Sequence, residues 1–146
     1  MNKLWKITIL TFFLSTTYLI AQTKISWRTL ESIGFNEKYV SKLDIKFNFP
    51  VFSSTLKALN GRTVEVQGYL IPYDHTGKNV ALSANPYAAC FFCGKAGPAS
   101  VMVLRMKYPD KKIKTDAYKS VKGTLKLNYN DPEEFYYILE NAEIID

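Results

Sequence analysis

The stretch Arg62-Thr63-Val64-Glu65-Val66-Gln67-Gly68-Tyr69-Leu70-Ile71-Pro72 sets Val64, Val66 and Leu70 on one side and Thr63, Glu65, Gln67 and Tyr69 on the other. Successive side chains of a strand point to opposite faces, so this period of two marks a half-buried strand. Gly68 falls on the apolar side. A glycine inside a strand marks a bulge or sharp bend, the device by which a small barrel turns its corners. Pro72 closes the strand.

Toward the C-terminus, Tyr73-Asp74-His75-Thr76-Gly77-Lys78 reads as a hairpin loop into a second strand, Asn79-Val80-Ala81-Leu82. Ser100 to Met106 is apolar on both faces until Arg105, which fits a buried central strand. Tyr108-Pro109-Asp110 turns the chain. From Val121 to Tyr129 the alternation is without error, Val121, Gly123, Leu125, Leu127 and Tyr129 opposing Lys122, Thr124, Lys126 and Asn128. Asp131-Pro132-Glu133-Glu134 is a helix-start signal, but Phe135-Tyr136-Tyr137 are better strand formers. The ending is therefore read as one helical turn and a final strand from Tyr136 to Ile145.

Toward the N-terminus, Ser26-Trp27-Arg28-Thr29-Leu30 opens a short helix that Gly34 ends, and Asn36-Glu37 caps a second helical turn carrying Tyr39, Val40 and Leu43. A clearer helix follows Pro50, with Ser53 or Ser54 as cap, Phe52, Leu56 and Leu59 on one face, and Asn60-Gly61 as stop. Together these features predict a mainly β fold: a small five-stranded OB-like Greek-key barrel over residues 62–146 with short N-terminal helices in a helical or irregular segment, 22–61. A half-open sandwich is the alternative. The two parts form one domain of about 125 residues, enough to bury a core without disulfides or metal. OB barrels bind ligands of many classes, so the fold names no substrate.

The first residues set the compartment. Lys3 and Lys6 precede an apolar run from Ile7 to Ile20, which Ala21-Gln22 ends. That is a signal peptide over residues 1–21, with Leu19 departing from the small residue usual before cleavage. The run falls short of the roughly 20 residues of a membrane-spanning helix. The expected product is periplasmic or secreted, with no stable membrane insertion after cleavage, where disulfides persist. Cleavage takes the formal charge from +6 to +4. The remaining lysines are scattered, which reads as solvated strand faces and excludes nucleic acid as the expected partner.

Both cysteines of the chain lie in Asn85-Pro86-Tyr87-Ala88-Ala89-Cys90-Phe91-Phe92-Cys93-Gly94. Covalent haem attachment needs a histidine after the second cysteine, and Gly94 stands there. A thioredoxin-like site needs a helix after the first cysteine, which Gly94-Lys95-Ala96-Gly97-Pro98 does not continue. Two readings stay open. Cys90 and Cys93 hold a soft metal, zinc or copper, with His75 (the sole histidine) and Asp74 as further ligands. Alternatively they form a tight disulfide or stay as small thiols that shape a loop. No serine nucleophile motif, phosphate-binding glycine loop or second histidine is present, so dithiol redox chemistry is the one enzymatic option kept.

The run from Ser83 to Met102 around Cys-Phe-Phe-Cys-Gly-Lys-Ala-Gly-Pro, preceded by Gly68-Tyr69-Leu70-Ile71-Pro72, resembles a family of small exported bacterial proteins catalogued as a domain of unknown function. The likeness covers about residues 60–145, and the Ala21-Gln22 end of the leader is similar to those of Bacteroidetes proteins. Some members carry Cys-x-His in this loop and occur beside ABC transport systems. The resemblance thus implies metal handling and an envelope transport system as partner. Here Phe92 stands in place of that histidine and Cys93 follows it, so Cys90 alone carries over as a ligand. The function expected is a metal-binding accessory protein of the cell envelope, with a non-catalytic OB-type binding module as the alternative, its exposed aromatics meeting a protein or glycan. The metal reading with His75 as a ligand requires its imidazole and both sulfurs to converge on one point.

Overall fold

A computed structural model describes residues 23–146; the expected leader, residues 1–21, lies outside the described residues. In chain order the elements are β1 (Thr23–Lys24), α1 (Trp27–Glu31), β2 (Gly34–Val40), β3 (Ile45–Val51), α2 (Ser54–Leu59), β4 (Thr63–Pro72), β5 (Asn79–Ser83), β6 (Val101–Met106), β7 (Ala117–Leu127) and β8 (Tyr137–Ile144). None of the described helices is long and apolar enough to cross a membrane.

β4 pairs antiparallel with both β5 and β7, β5 with β6, and β7 with β8, while β6 runs parallel to β8. These pairings close a five-stranded barrel in which the third and fifth strands are parallel neighbours, the Greek-key order of an OB barrel. The half-open alternative does not hold, because β4 is paired along both edges. Its inward residues Val64, Val66 and Leu70 meet Val80, Leu82, Met102, Leu104, Val121, Leu125 and Leu139 in one buried core.

The two strand glycines act differently from each other. Pairing of β4 with β7 runs unbroken through Gly68 and Lys119, so no bulge lies there. Gly68 instead permits close approach, since a Cβ would stand 2.7 Å from the Ser83 carbonyl oxygen. Gly123 is where the register of β7 on β8 shifts, between Lys122 and Thr124, and a Cβ there would meet Leu139 Cγ at 2.7 Å.

Both short helices form where their caps predict. Ser26 Oγ accepts from Thr29 N–H to start α1, and Ser53 Oγ accepts from Leu56 N–H to start α2. Leu30, Phe52 and Leu56 are buried in the barrel core, and the Tyr137 hydroxyl donates to the Leu30 carbonyl. The expected helical turn at Asn36-Glu37 is overturned. Residues Gly34–Val40 and Ile45–Val51 form an antiparallel hairpin, with Asn36 opposite Phe49 and Tyr39 opposite Lys46. Ile45, Phe47, Phe49 and Val51 share one face of β3, and Asp44 takes the left-handed conformation (φ 54°) at the end of the turn. The helical turn expected at Asp131–Glu134 is also absent. Asn128 organises that segment instead, its Oδ1 accepting from Asn130 and Asp131 N–H and its amide donating to the Asp131 and Glu134 carbonyls.

Candidate functional site

The connection from β5 to β6 carries both cysteines through short 3-10 turns at Tyr87–Ala89, Phe91–Cys93 and Pro98–Ser100. Gly94 ends the middle turn in the left-handed conformation (φ 69°). The two cysteines are not joined to each other and sit differently. Cys90 is fully buried against Ile71, Ala81 and Val101, with Phe91 and Phe135 over them, whereas Cys93 is exposed. Both thiols nevertheless donate to one acceptor, the Tyr87 carbonyl oxygen, at 3.0 Å each. Tyr87 is itself held from behind, its N–H donating to Asp116 Oδ1 at 2.7 Å.

Asp74 and His75 do not join them. The Asp74 carboxylate organises its own hairpin loop, Oδ1 accepting from the Thr76 hydroxyl and from the Thr76 and Gly77 N–H groups, and Oδ2 accepting from the Asn79 N–H and side-chain amide. The Thr76 hydroxyl and these other donors hold its carboxyl well below the usual carboxylate range, against a smaller opposing effect of burial. His75 is exposed in the same turn. Among the described residues no three His, Cys, Asp or Glu side chains gather where they could hold one metal ion. The Cys90, Cys93, His75 and Asp74 arrangement is therefore not assembled, because loop closure claims the carboxylate and the imidazole lies on the outside of the turn.

What the loop does assemble is aromatic. Phe92 rests between Phe91 (ring centroids 5.9 Å), Phe135 (6.0 Å) and Tyr73 (6.4 Å). Burial, aided by the negative charges of Glu134 and Asp74, pushes the Tyr73 phenol up to about 12. Beside this cluster opens a groove of about 570 Å³ between the β2–β3 hairpin, the cysteine loop and the segment before β8. Phe35, Phe47, Phe91, Pro98, Pro132, Phe135 and Tyr136 give it an apolar lining. Its charged rim is internally matched: Glu134 binds Arg105 at 2.9 Å, Lys46 binds Glu37 at 3.1 Å, and Glu133 faces Lys42 at 3.5 Å.

One wall of the groove is a strand edge. The hairpin is a two-stranded sheet, so β3 pairs with β2 alone among the described strands. Pro50 has no N–H and lies opposite Phe35, which places positions 50, 48 and 46 at non-bonded pairs whose backbone groups turn away from β2. The Asn48 carbonyl accordingly accepts the Tyr136 hydroxyl, which ties hairpin to barrel.

No protein-family model matches this chain, and no curated protein matches it. Among solved structures it is similar to a DUF3299 family protein from Pseudomonas aeruginosa PAO1. The two are 14% identical with a TM-score of 0.55, over 86% of this chain and 97% of that one. The likeness shows the fold. The neighbour's family is one catalogued as a domain of unknown function.

The sequence reading found the cysteines but not the groove. Phe35, Phe47, Phe135 and Tyr136 come from three separate segments, and the one local signal for them is the alternation of Ile45, Phe47, Phe49 and Val51.

Proposed function

We propose that this chain is an exported, non-catalytic binding module of the cell envelope whose OB barrel holds an extended, apolar polypeptide segment in the groove between the β2–β3 hairpin and the cysteine loop. The observation that carries the reading is the β3 edge that faces away from β2, paired with no other described strand although its Asn48 carbonyl is taken by the Tyr136 hydroxyl, running along an aromatic-lined groove. An added strand bonds its backbone to such an edge while alternate side chains enter pockets beside it. Aromatic walls supply the apolar contact area, with Phe91 and Phe135 on the barrel side and Phe35 and Phe47 on the hairpin side. The matched rim charges favour an uncharged occupant, since a charged one would face no unpaired countercharge there. The leader pattern of residues 1–21 supports export, and its Ala21-Gln22 end supports a Bacteroidetes-like source.

The experiment is selection from a displayed library of random peptides, followed by affinity measurement on the purified protein with a labelled copy of the enriched sequence. The reading expects alternating apolar sequences with a dissociation constant near micromolar, about −8 kcal/mol. It expects Phe47→Ala or Phe135→Ala to weaken binding by about tenfold or more. Proline placed along the peptide should abolish binding by removing its strand donors. Enriched peptides that bind both variants as they bind the parent protein count against the groove.

A further inference from the structure

We infer that Cys90 and Cys93 form a two-thiolate site for a soft monovalent cation of the Cu(I) type, with the Tyr87 carbonyl as a weak third donor. The inference does not rest on the groove's occupant. Its basis is the shared acceptor: each thiol is 3.0 Å from the Tyr87 oxygen, so the sulfurs are no further apart than twice that distance and face one point. The two protons now directed at the carbonyl occupy the place an ion would take. Binding exchanges both for the cation, each thiol releasing its proton to solvent, and no electron is transferred. The carbonyl oxygen then meets positive charge where it met two S–H donors.

The donor set selects the ion. A structural zinc site needs four ligands, and the described residues offer no third His, Cys, Asp or Glu at this point. Thiolate sulfur favours soft ions, and Cu(I) is among those that sulfur ligands select. The loop geometry holds the pair ready. Gly94 caps the turn at φ 69°, Asp116 fixes Tyr87 from the far side, and Cys90 is anchored in a buried cluster while Cys93 remains open to an arriving ion. Phe91 packs against the buried cluster that holds Cys90, and its ring meets that of Phe92 edge-on at 5.9 Å.

The test is competition, under anaerobic reducing conditions, between the purified protein and a coloured chelator preloaded with Cu(I). The expected result is withdrawal of one Cu(I) per chain, with Zn(II) bound at least about 100-fold more weakly than Cu(I) by the same approach. Cys93→Ser, a change at an exposed position, should weaken Cu(I) binding by at least about 100-fold while far-ultraviolet circular dichroism stays that of the parent. His75→Ala should leave the affinity unchanged. X-ray absorption should show two sulfur neighbours around copper. The inference is overturned if no Cu(I) leaves the chelator, if Cys93→Ser competes as well as the parent, if Zn(II) binds as tightly, or if one ion is bound per two chains. Cys90→Ser serves as a second variant when its fold is retained. Peptide binding in the groove is read separately, so failure of the metal site leaves that result standing.

Discussion

The hydroxyl of Tyr136 donates to the backbone carbonyl of Asn48, so the residue before the last barrel strand clamps the middle of the β3 edge. The ring of Tyr136 also packs edge-on against Phe47 at 6.4 Å and at a tilt of 46° against Phe35 at 6.1 Å. One side chain thereby ties the hairpin wall of the groove to the barrel. Tyr136→Phe keeps the ring and deletes the bond, at a cost of about 1 kcal/mol. The expected readout is a melting temperature lower by a few degrees, on the order of 3–5 °C for a domain of this size. An unchanged melting temperature would show that the hairpin is held by ring packing alone.

The barrel strands were legible in the sequence because burial on one face forces a period of two. Val64, Val66 and Leu70 on β4 and Val121, Leu125 and Leu127 on β7 are buried, as their alternation predicts. The hairpin was harder to read. Phe35 and Tyr39 on β2 are exposed, so nothing forces polar residues onto one face, and Asn36-Glu37 imitates a helix cap. Asp74 misled for a related reason. A carboxylate next to the sole histidine has the look of a ligand pair, but the loop's own backbone N–H groups are nearer and take up both oxygens.

Gly68 and Gly94 separate two reasons for glycine. Gly68→Ala places a methyl 2.7 Å from the Ser83 oxygen and 3.1 Å from Leu82 Cγ in the packed core, an overpacking expected to cost about 1–3 kcal/mol. Gly94 has open space around it and a φ of 69°, so Gly94→Ala carries only the left-handed strain of about 1 kcal/mol. Urea denaturation midpoints should rank parent, Gly94→Ala and Gly68→Ala in falling order. The reverse order for the two variants would contradict the close approach of β4 to β5.

Acid should loosen the Asp74 loop. Its folded pKa lies below the value of about 3.9 for an unfolded aspartate, so the unfolded chain binds the proton more readily. The loop's contribution is complete above that value and is lost as pH falls toward the folded pKa. Asp74→Asn removes the titrating group. Its denaturation midpoint should fall less than that of the parent between about pH 5 and pH 3; equal losses in the two proteins would rule out this linkage.

Alkali acts on Tyr73 with the opposite sign. Its folded pKa, pushed up to about 12 by burial and then by Glu134 and Asp74, exceeds the roughly 10 of an unfolded tyrosine. Its contribution is present below about pH 10 and lost as pH rises through the folded value. Absorbance titration near 295 nm should show one fewer late-ionising phenol in Tyr73→Phe. An unchanged late phase would place Tyr73 outside the aromatic cluster over Phe92 and Phe135.

The most direct test of the groove as a binding site is amide chemical-shift mapping of the isotope-labelled protein on addition of the enriched peptide. The account predicts the largest shifts at Phe35, at Lys46 and Asn48 on the β3 edge, at Phe91, and over residues 133–136, with slowed hydrogen exchange at Lys46 and Asn48. Shifts confined to another face of the barrel, or Lys46 and Asn48 amides exchanging as fast with peptide as without it, would contradict it.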